Sequence, residues 1–328
     1  TNDEEILLQI INLIFSRTGN DFRHYKQPTI RRRIARRMVI AERNTIEDYY
    51  NFLRNSKDEQ DLLFNDFLIH VTYFFRDQEA FENLSTHVFP SLVKNVTNNN
   101  LRIWVAGCST GEEAYSLAIC LHEYLLKTNN KDIKVQIFAS DVSEKCITKA
   151  RSAVYSYQDV QLVSEERLQN YFTKSDGNYH INKAIRDMCI FAVHNFVKDP
   201  AFARIDLVSC RNVLIYLDPY LQNKVLGSFH YSLKDKGLLF LGKSESATHS
   251  QDLFESLEKY DKIYIRKFVP GRYAAQPFKP SQGAFQIKMK TSEASSTPEA
   301  DFRKIASDIL FTMYTPASVI INKNLEIV

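Results

Sequence analysis

In the first 70 residues apolar side chains recur every three or four positions, the spacing of helices with one buried face. Glu5–Phe15 sets Ile6, Ile10, Leu13 and Ile14 on one side, and Thr29–Ala41 does the same with Ile30, Ile34, Met38 and Ala41. Thr45 is placed to cap a helix carrying Tyr49, Phe52 and Leu53, and Asp58–His70 adds Leu62, Leu63, Phe67 and Leu68. In this stretch only Gly19 and Pro28 punctuate the pattern. The expectation is an all-helical N-terminal domain over residues 1–70.

From about residue 100 the period changes. Leu101–Gly107, Val135–Asp141, Cys189–Asn195, Ile205–Ser209, Gly237–Leu241 and Asp261–Lys267 read as short buried strands. Helical runs separate several of them, at Glu112–Lys127, Glu144–Ser152 and Pro219–Lys234. Alternating strands and helices predict an α/β domain over 71–268 with a mostly parallel, doubly wound sheet. Tyr155–Arg186 breaks the alternation around the turn Ser175-Asp176-Gly177-Asn178, which marks an inserted β-subdomain at about 155–188. Residues 269–299 have linker composition, and helical then strand patterning over 300–328 suggests the opening of a further domain.

Composition narrows the class. The chain has 328 residues, 44% hydrophobic and 25% charged, with nine glycines and nine prolines, an ordinary globular balance. No apolar run approaches the ~20 residues of a membrane span, and TNDEEILLQI lacks the basic and apolar segments of a secretory leader. Five scattered cysteines (Cys108, Cys120, Cys146, Cys189, Cys210) show no metal-ligand spacing. They are expected to be reduced thiols in a cytoplasmic protein, with no metal site. A net charge of +3 is too small to imply nucleic acid by itself.

Candidate chemistry gathers where strands end. Trp104–Glu113 (WVAGCSTGEE) joins the first sheet strand to its helix through small residues, so Ala106 and Gly107 can let backbone approach a ligand. It lacks both G-x-G-x-x-G spacing and a P-loop lysine, and as a bare loop it is equally a structural turn. Asp141 ends the next strand, 30 residues after Gly111, where a carboxylate can accept from ribose hydroxyls or else cap the following helix, a role for which Ser143 competes. Together they point to a nucleoside with little phosphate recognition, which S-adenosylmethionine (SAM) satisfies better than NAD or ATP. Cys210–Tyr216 (CRNVLIY) ends another strand on the same rim. In Val71–Asp77 (VTYFFRD), Phe74 and Phe75 read as core, and Thr72 and Arg76 as functional candidates.

The order VTYFFRD, RIWVAGCSTGEEAYSLA, FASD, HNF, DLVSCRNVLIYLD and GLLFLGKSES resembles the CheR family, the chemotaxis-receptor glutamate methyltransferases, over roughly residues 1–268. The resemblance implies a class I SAM-dependent methyltransferase fold, with an all-helical N-terminal domain and an inserted antiparallel β-subdomain. It implies SAM contacts from Thr72, Arg76, Glu113 or its neighbour Glu112, Asp141, Asn195 with Phe196, and Arg211 with Asn212. Arg76 and Tyr216 then lie beside the transferred methyl, and S-adenosylhomocysteine is the product. Where many members carry Asn two residues before the Thr, this chain has His70. The segment from Ala300 is similar to the start of a PAS sensory domain.

An acceptor glutamate is already ionised near neutrality, its ordinary pKa being about 4.3, so transfer needs positioning and desolvation rather than a general base. Arg76 can hold the acceptor carboxylate or the methionyl one, and Tyr216 can shape the methyl channel. Residues 31–37 hold five arginines, Arg31, Arg32, Arg33, Arg36 and Arg37. They are either a solvated face or a surface for an acidic partner. The resemblance points them at helices of membrane chemoreceptors. In some members the insertion tethers to a receptor C-terminal tail peptide, a second candidate partner. Neither nucleic acid nor direct membrane insertion is expected. The rival readings are a nucleic-acid methyltransferase and a non-catalytic SAM-sensing module.

Overall fold

The computed structural model describes residues 2–257 and 262–269. The expected linker beyond residue 269 and the PAS-like segment 300–328 lie outside the described residues.

Four helices open the chain: α1 (Asn2–Thr18), α2 (Gln27–Ile40), α3 (Ile46–Asn55) and α4 (Lys57–Phe67). Their ends follow local chemistry. Thr45 accepts from Asp48 N at 3.1 Å to start α3, Ser56 accepts from Glu59 N at 3.2 Å to start α4, and Pro28 sits in the first turn of α2. Ile6, Ile10, Ile14, Ile30, Ile34, Tyr49, Leu53, Leu63 and Phe67 form the shared core around Phe22 from the α1–α2 loop. Leu62 departs from its expected inward place. It is 47% exposed, because Leu63 and Phe67 at i and i+4 take the buried face and Leu62 sits about 100° round the helix from Leu63. α4 also stops at Phe67, short of the expected His70.

The main sheet contains β1 (Asn100–Ala106), β2 (Lys134–Asp141), β6 (Cys189–Val193), β7 (Ile205–Cys210), β8 (Leu233–Leu241), β9 (Phe254–Ser256) and β10 (Ile263–Arg266). Between β2 and β6 the chain forms β3 (Val154–Tyr155), β4 (Phe172–Ser175) and β5 (Asn178–Ile181), a separate antiparallel sheet ordered β3-β5-β4. The main order is β6-β2-β1-β7-β8-β10-β9, parallel from β6 to β8 and antiparallel at β10 and β9. This is the class I SAM methyltransferase fold, with the helical domain and small antiparallel sheet that the sequence led one to expect.

Alternation along β1 divides the core. Leu101, Ile103 and Val105 face the layer with the helix Glu112–Lys127, whereas Trp104 and Ala106 face the layer with the helix Pro219–Ser232. The turn of the small sheet uses left-handed Asp176 (φ 50°) and Gly177 (φ 76°), the two positive-φ positions that close a tight hairpin. Two strand expectations shift. β8 begins at Leu233, so Lys234 leaves the expected helix for the strand, and the three-residue β9 was too short to register as a pattern. No helix among the described residues is long and apolar enough to cross a membrane.

Candidate functional site

The strand order reverses at β1. The chain runs from β1 to β2 and β6 on one side, and β7 and β8 occupy the other. The loops leaving β1 and β7 therefore lie at the switch point of the sheet's carboxyl edge, the place where such sheets form a ligand-binding crevice.

The loop after β1 is held by backbone geometry. Gly107 has φ +77°, and a Cβ there would come within 2.7 Å of Val213 Cγ2 in the loop after β7, so glycine permits the two loops to touch. Gly107 and Cys108 donate their N–H groups to Ser140 O at 2.8 and 2.9 Å. Ser109 N then donates to Asp141 Oδ2 and Ser143 N to Asp141 Oδ1, both at 2.9 Å. Ser143 is the cap of the next helix, accepting from Cys146 N at 3.3 Å. Asp141 is thus a strap between loops, and each oxygen keeps a lone pair for a further donor.

The two glutamates separate. Glu112 is 3% exposed and accepts from Thr110 Oγ1, whose carbonyl accepts from Tyr155 OH at 2.7 Å. Glu113 turns to β7, accepting from Ser209 Oγ at 2.6 Å and lying 3.8 Å from Arg211 Nη1. Burial pushes both carboxyls above their ordinary pKa, opposed at Glu112 first by the Thr110 hydroxyl and at Glu113 first by the Arg211 charge. Two carboxylates in the first turn of this helix oppose a phosphate at its N-terminus and suit a cationic group.

Arg76 donates from Nη1 to Val71 O at 2.7 Å and lies over the Tyr73 ring at 5.7 Å. Its neighbours Phe75 (φ 54°) and Asp77 (φ 59°) are left-handed, a conformation that side chains adopt only when their surroundings hold it. Phe74 and Phe75 are core, as read, 0% and 6% exposed, and Phe75 N donates to Ser116 Oγ at 2.9 Å. Thr72 is half-buried in the same segment, and exposed His70 lies with Nδ1 3.3 Å from Cys146 Sγ.

Two of the expected ligand residues are buried. Arg211 is 1% exposed at its side chain, its guanidinium between the rings of Phe81 (5.2 Å) and Phe240 (4.9 Å), and Nη2 donates to Arg76 O and Asp77 Oδ2 at 2.8 Å. These bonds hold the Arg76 segment in place, while Nη1 lies 3.8 Å from Glu113 Oε2. Phe196 is 8% exposed and packs on Phe229 in the core. Its neighbour Asn195 sits at the rim, where Oδ1 accepts from Val197 N at 3.0 Å and Nδ2 donates to Asn20 Oδ1 at 2.8 Å.

Sequence reasoning passed over Glu245. It is 4% exposed, beyond β8, and accepts from four backbone N–H groups, those of Gly242 (2.7 Å), Asn212 (2.8 Å), Val213 (2.8 Å) and Ile215 (3.3 Å). This nest shapes the loop carrying Asn212 and Tyr216. The signal available was a carboxylate just past a strand end on the same rim. Tyr25 was missed too. It reaches from the α1–α2 loop, and burial raises its hydroxyl pKa, with the Asp141 charge adding to the shift.

Ser109 Oγ, Asn212 Oδ1 and Arg211 Nη1 are buried without a hydrogen-bond partner. All three lie on the loops after β1 and β7, Ser109 beside Asp141 and Arg211 beside Glu113, so the donor and acceptor set fits a polar nucleoside ligand such as SAM. The arginine helix is less uniform than expected. Arg31, Arg32 and Arg36 are exposed and Arg33 half-buried, but Arg37 is 8% exposed and bidentate to Glu59 at 2.9 and 2.6 Å. It is an internal ion pair and no part of a docking surface, since i+3 from Ile34 falls on the buried face.

Residues 70–263 match the SAM-binding domain of the CheR methyltransferase family, and residues 6–68 its all-alpha domain. The chain is 36% identical to an uncharacterized 104.1 kDa protein of Rhodobacter capsulatus over 79% of its own length but only 27% of that longer protein. It is 30% identical to chemotaxis protein methyltransferase 2 of Vibrio cholerae, over 73% of this chain and 85% of that one. Identity to the chemotaxis protein methyltransferase of Borreliella burgdorferi is also 30%, over 77% of this chain and 91% of that one.

Proposed function

The chain belongs to the CheR methyltransferase family, with SAM as its cofactor, and we propose that it methylates glutamate side chains on chemoreceptor helices to give methyl esters. The observation that carries this reading is the crevice at the ends of β1 and β7, where Asp141 and the loop holding Arg211 and Asn212 flank a helix N-terminus bearing the two carboxylates Glu112 and Glu113. That arrangement suits a nucleoside bearing positive charge and disfavours phosphates.

Bound SAM supplies a methyl group already activated by its sulfonium. Asp141 would hold the ribose hydroxyls, with Glu113, Asn195 and Asn212 on the remaining polar edges. Arg76 would pair with a carboxylate, that of the acceptor or that of the methionyl group. Tyr216, half-buried in the turn Leu214–Tyr216, would line the methyl channel. The acceptor arrives ionised, so these residues align and desolvate instead of moving a proton. Arg31, Arg32, Arg33 and Arg36 would face the acidic receptor surface, and a receptor tail peptide would meet the β3-β5-β4 sheet.

The test is transfer of labelled methyl from SAM to chemoreceptor-containing membranes, followed by alkali. Release of labelled methanol from a receptor band is expected, because carboxyl esters hydrolyse in base and N-methyl groups do not. Label that survives alkali would refute the ester, and SAM binding without transfer would favour a sensor.

A further inference from the structure

The α1–α2 loop, which leads directly into α2, is bonded to the turn that carries Tyr216. Along the α1–α2 loop, Lys26 N donates to Tyr216 O and Asp218 N donates to His24 O, both at 2.8 Å, around a bridge between Tyr25 and Leu217. His24 Nδ1 lies 2.9 Å from Asp218 Oδ2, and its ring packs on Tyr220 at 4.9 Å. Tyr25 packs into the helical core and also into the sheet core.

The contact at Asn20 has a defined direction. Asn195 Oδ1 is occupied by Val197 N, so its Nδ2 must point at Asn20. Asn20 Nδ2 in turn donates to Thr18 O at 3.2 Å, which leaves Oδ1 as the acceptor. Both amides are oriented by backbone, and the bond between them fixes the side chain at the end of β6.

We propose that the α1–α2 loop is a positioning element of the SAM site, in which Asn20 sets the rotamer of Asn195 while His24–Lys26 holds the Tyr216 turn. This rests on Asn195 being a SAM contact, as read above. α2 begins at Gln27, directly after this latch. A partner bound to α2 therefore acts on an element covalently continuous with the one that shapes the crevice.

The test is calorimetric titration of the full chain with SAM, using Asn20→Ala, Asn20→Asp, Asn195→Ala and the Asn20→Ala/Asn195→Ala pair. Asn20→Ala should weaken SAM binding about three- to tenfold, the worth of one hydrogen bond. Its KM for SAM should rise by the same factor at unchanged kcat. Asn20→Asp keeps the acceptor for Asn195 but sets a carboxylate oxygen against Thr18 O, so its loss should be smaller than that of Asn20→Ala without vanishing. The double variant should bind no more weakly than Asn195→Ala alone, because the two act in series. Parent-like binding by Asn20→Ala, with Asn195→Ala impaired, would overturn the proposal and leave Asn195 as a ligand. Additive losses would overturn it too, since the residues would then act independently. Parent-like binding by Asn195→Ala would remove that residue from the site reading, and the latch with it.

Discussion

Replacing Glu245 by Gln keeps shape and size but turns one of two accepting oxygens into a donor. In the parent, Oε2 accepts from Gly242 N and Asn212 N, and Oε1 from Val213 N and Ile215 N. Whichever way the amide sits, two backbone N–H groups lose their acceptor and face an NH2 group. Hydrogen bonds to a charged acceptor are worth about 1.5–3 kcal/mol each. With the carboxylate 4% exposed, water cannot take its place. The expected loss is about 3–5 kcal/mol, at the exceptional end for one substitution. That corresponds to a fall of about 10 °C in the midpoint of thermal unfolding followed by circular dichroism. Glu245→Ala removes all four acceptor contacts and should cost at least as much. Any folded Glu245→Gln protein should also bind SAM more weakly, because the displaced loop carries Asn212 and Tyr216. A cost under about 1 kcal/mol would refute the claim that this carboxylate organises the loop.

Arg76→Ala and Tyr216→Phe should each lower turnover more than they weaken SAM binding, measured by methyl transfer beside calorimetry; fully active variants would remove both roles. Arg33→Glu with Arg36→Glu should abolish receptor methylation with SAM affinity intact. Arg37→Met should behave differently, costing about 3–5 kcal/mol in denaturant unfolding because Glu59 is left buried without its countercharge, held only by the Tyr49 hydroxyl. Burial raises the Glu112 carboxyl above its unfolded value of 4.5, so the folded state binds the proton more tightly and stability falls as pH rises from that value through the folded pKa. Glu112→Gln should therefore raise the melting temperature at pH 7 but hardly at pH 4, and an equal gain at both would refute the assignment.

Much of this protein follows from local sequence. The 3.6-residue period and the caps Thr45 and Ser56 define the N-terminal helices, and the strand-end positions of Gly107, Asp141 and Asn212 place them on one rim before any coordinate is known. Those inferences work because periodicity, capping and strand ends depend on neighbours a few residues away. Side-chain commitments depend on distant partners. Arg37 and Arg33 look alike in sequence, yet Glu59, 22 residues on, takes Arg37 inside. Arg211 stands beside Asn212 in a ligand-like motif, but Phe81, Phe240 and Asp77 turn its guanidinium into a brace for Arg76. Glu112 and Glu113 are adjacent, and only the packing of Ser209 against one and Thr110 against the other tells them apart. Asn20 meets Asn195 across 175 residues, a pairing no periodicity encodes. What the chain alone determined is which elements form and which edge carries polar residues; which of those residues remain free for a ligand was decided by charges and rings that only the tertiary fold brings together.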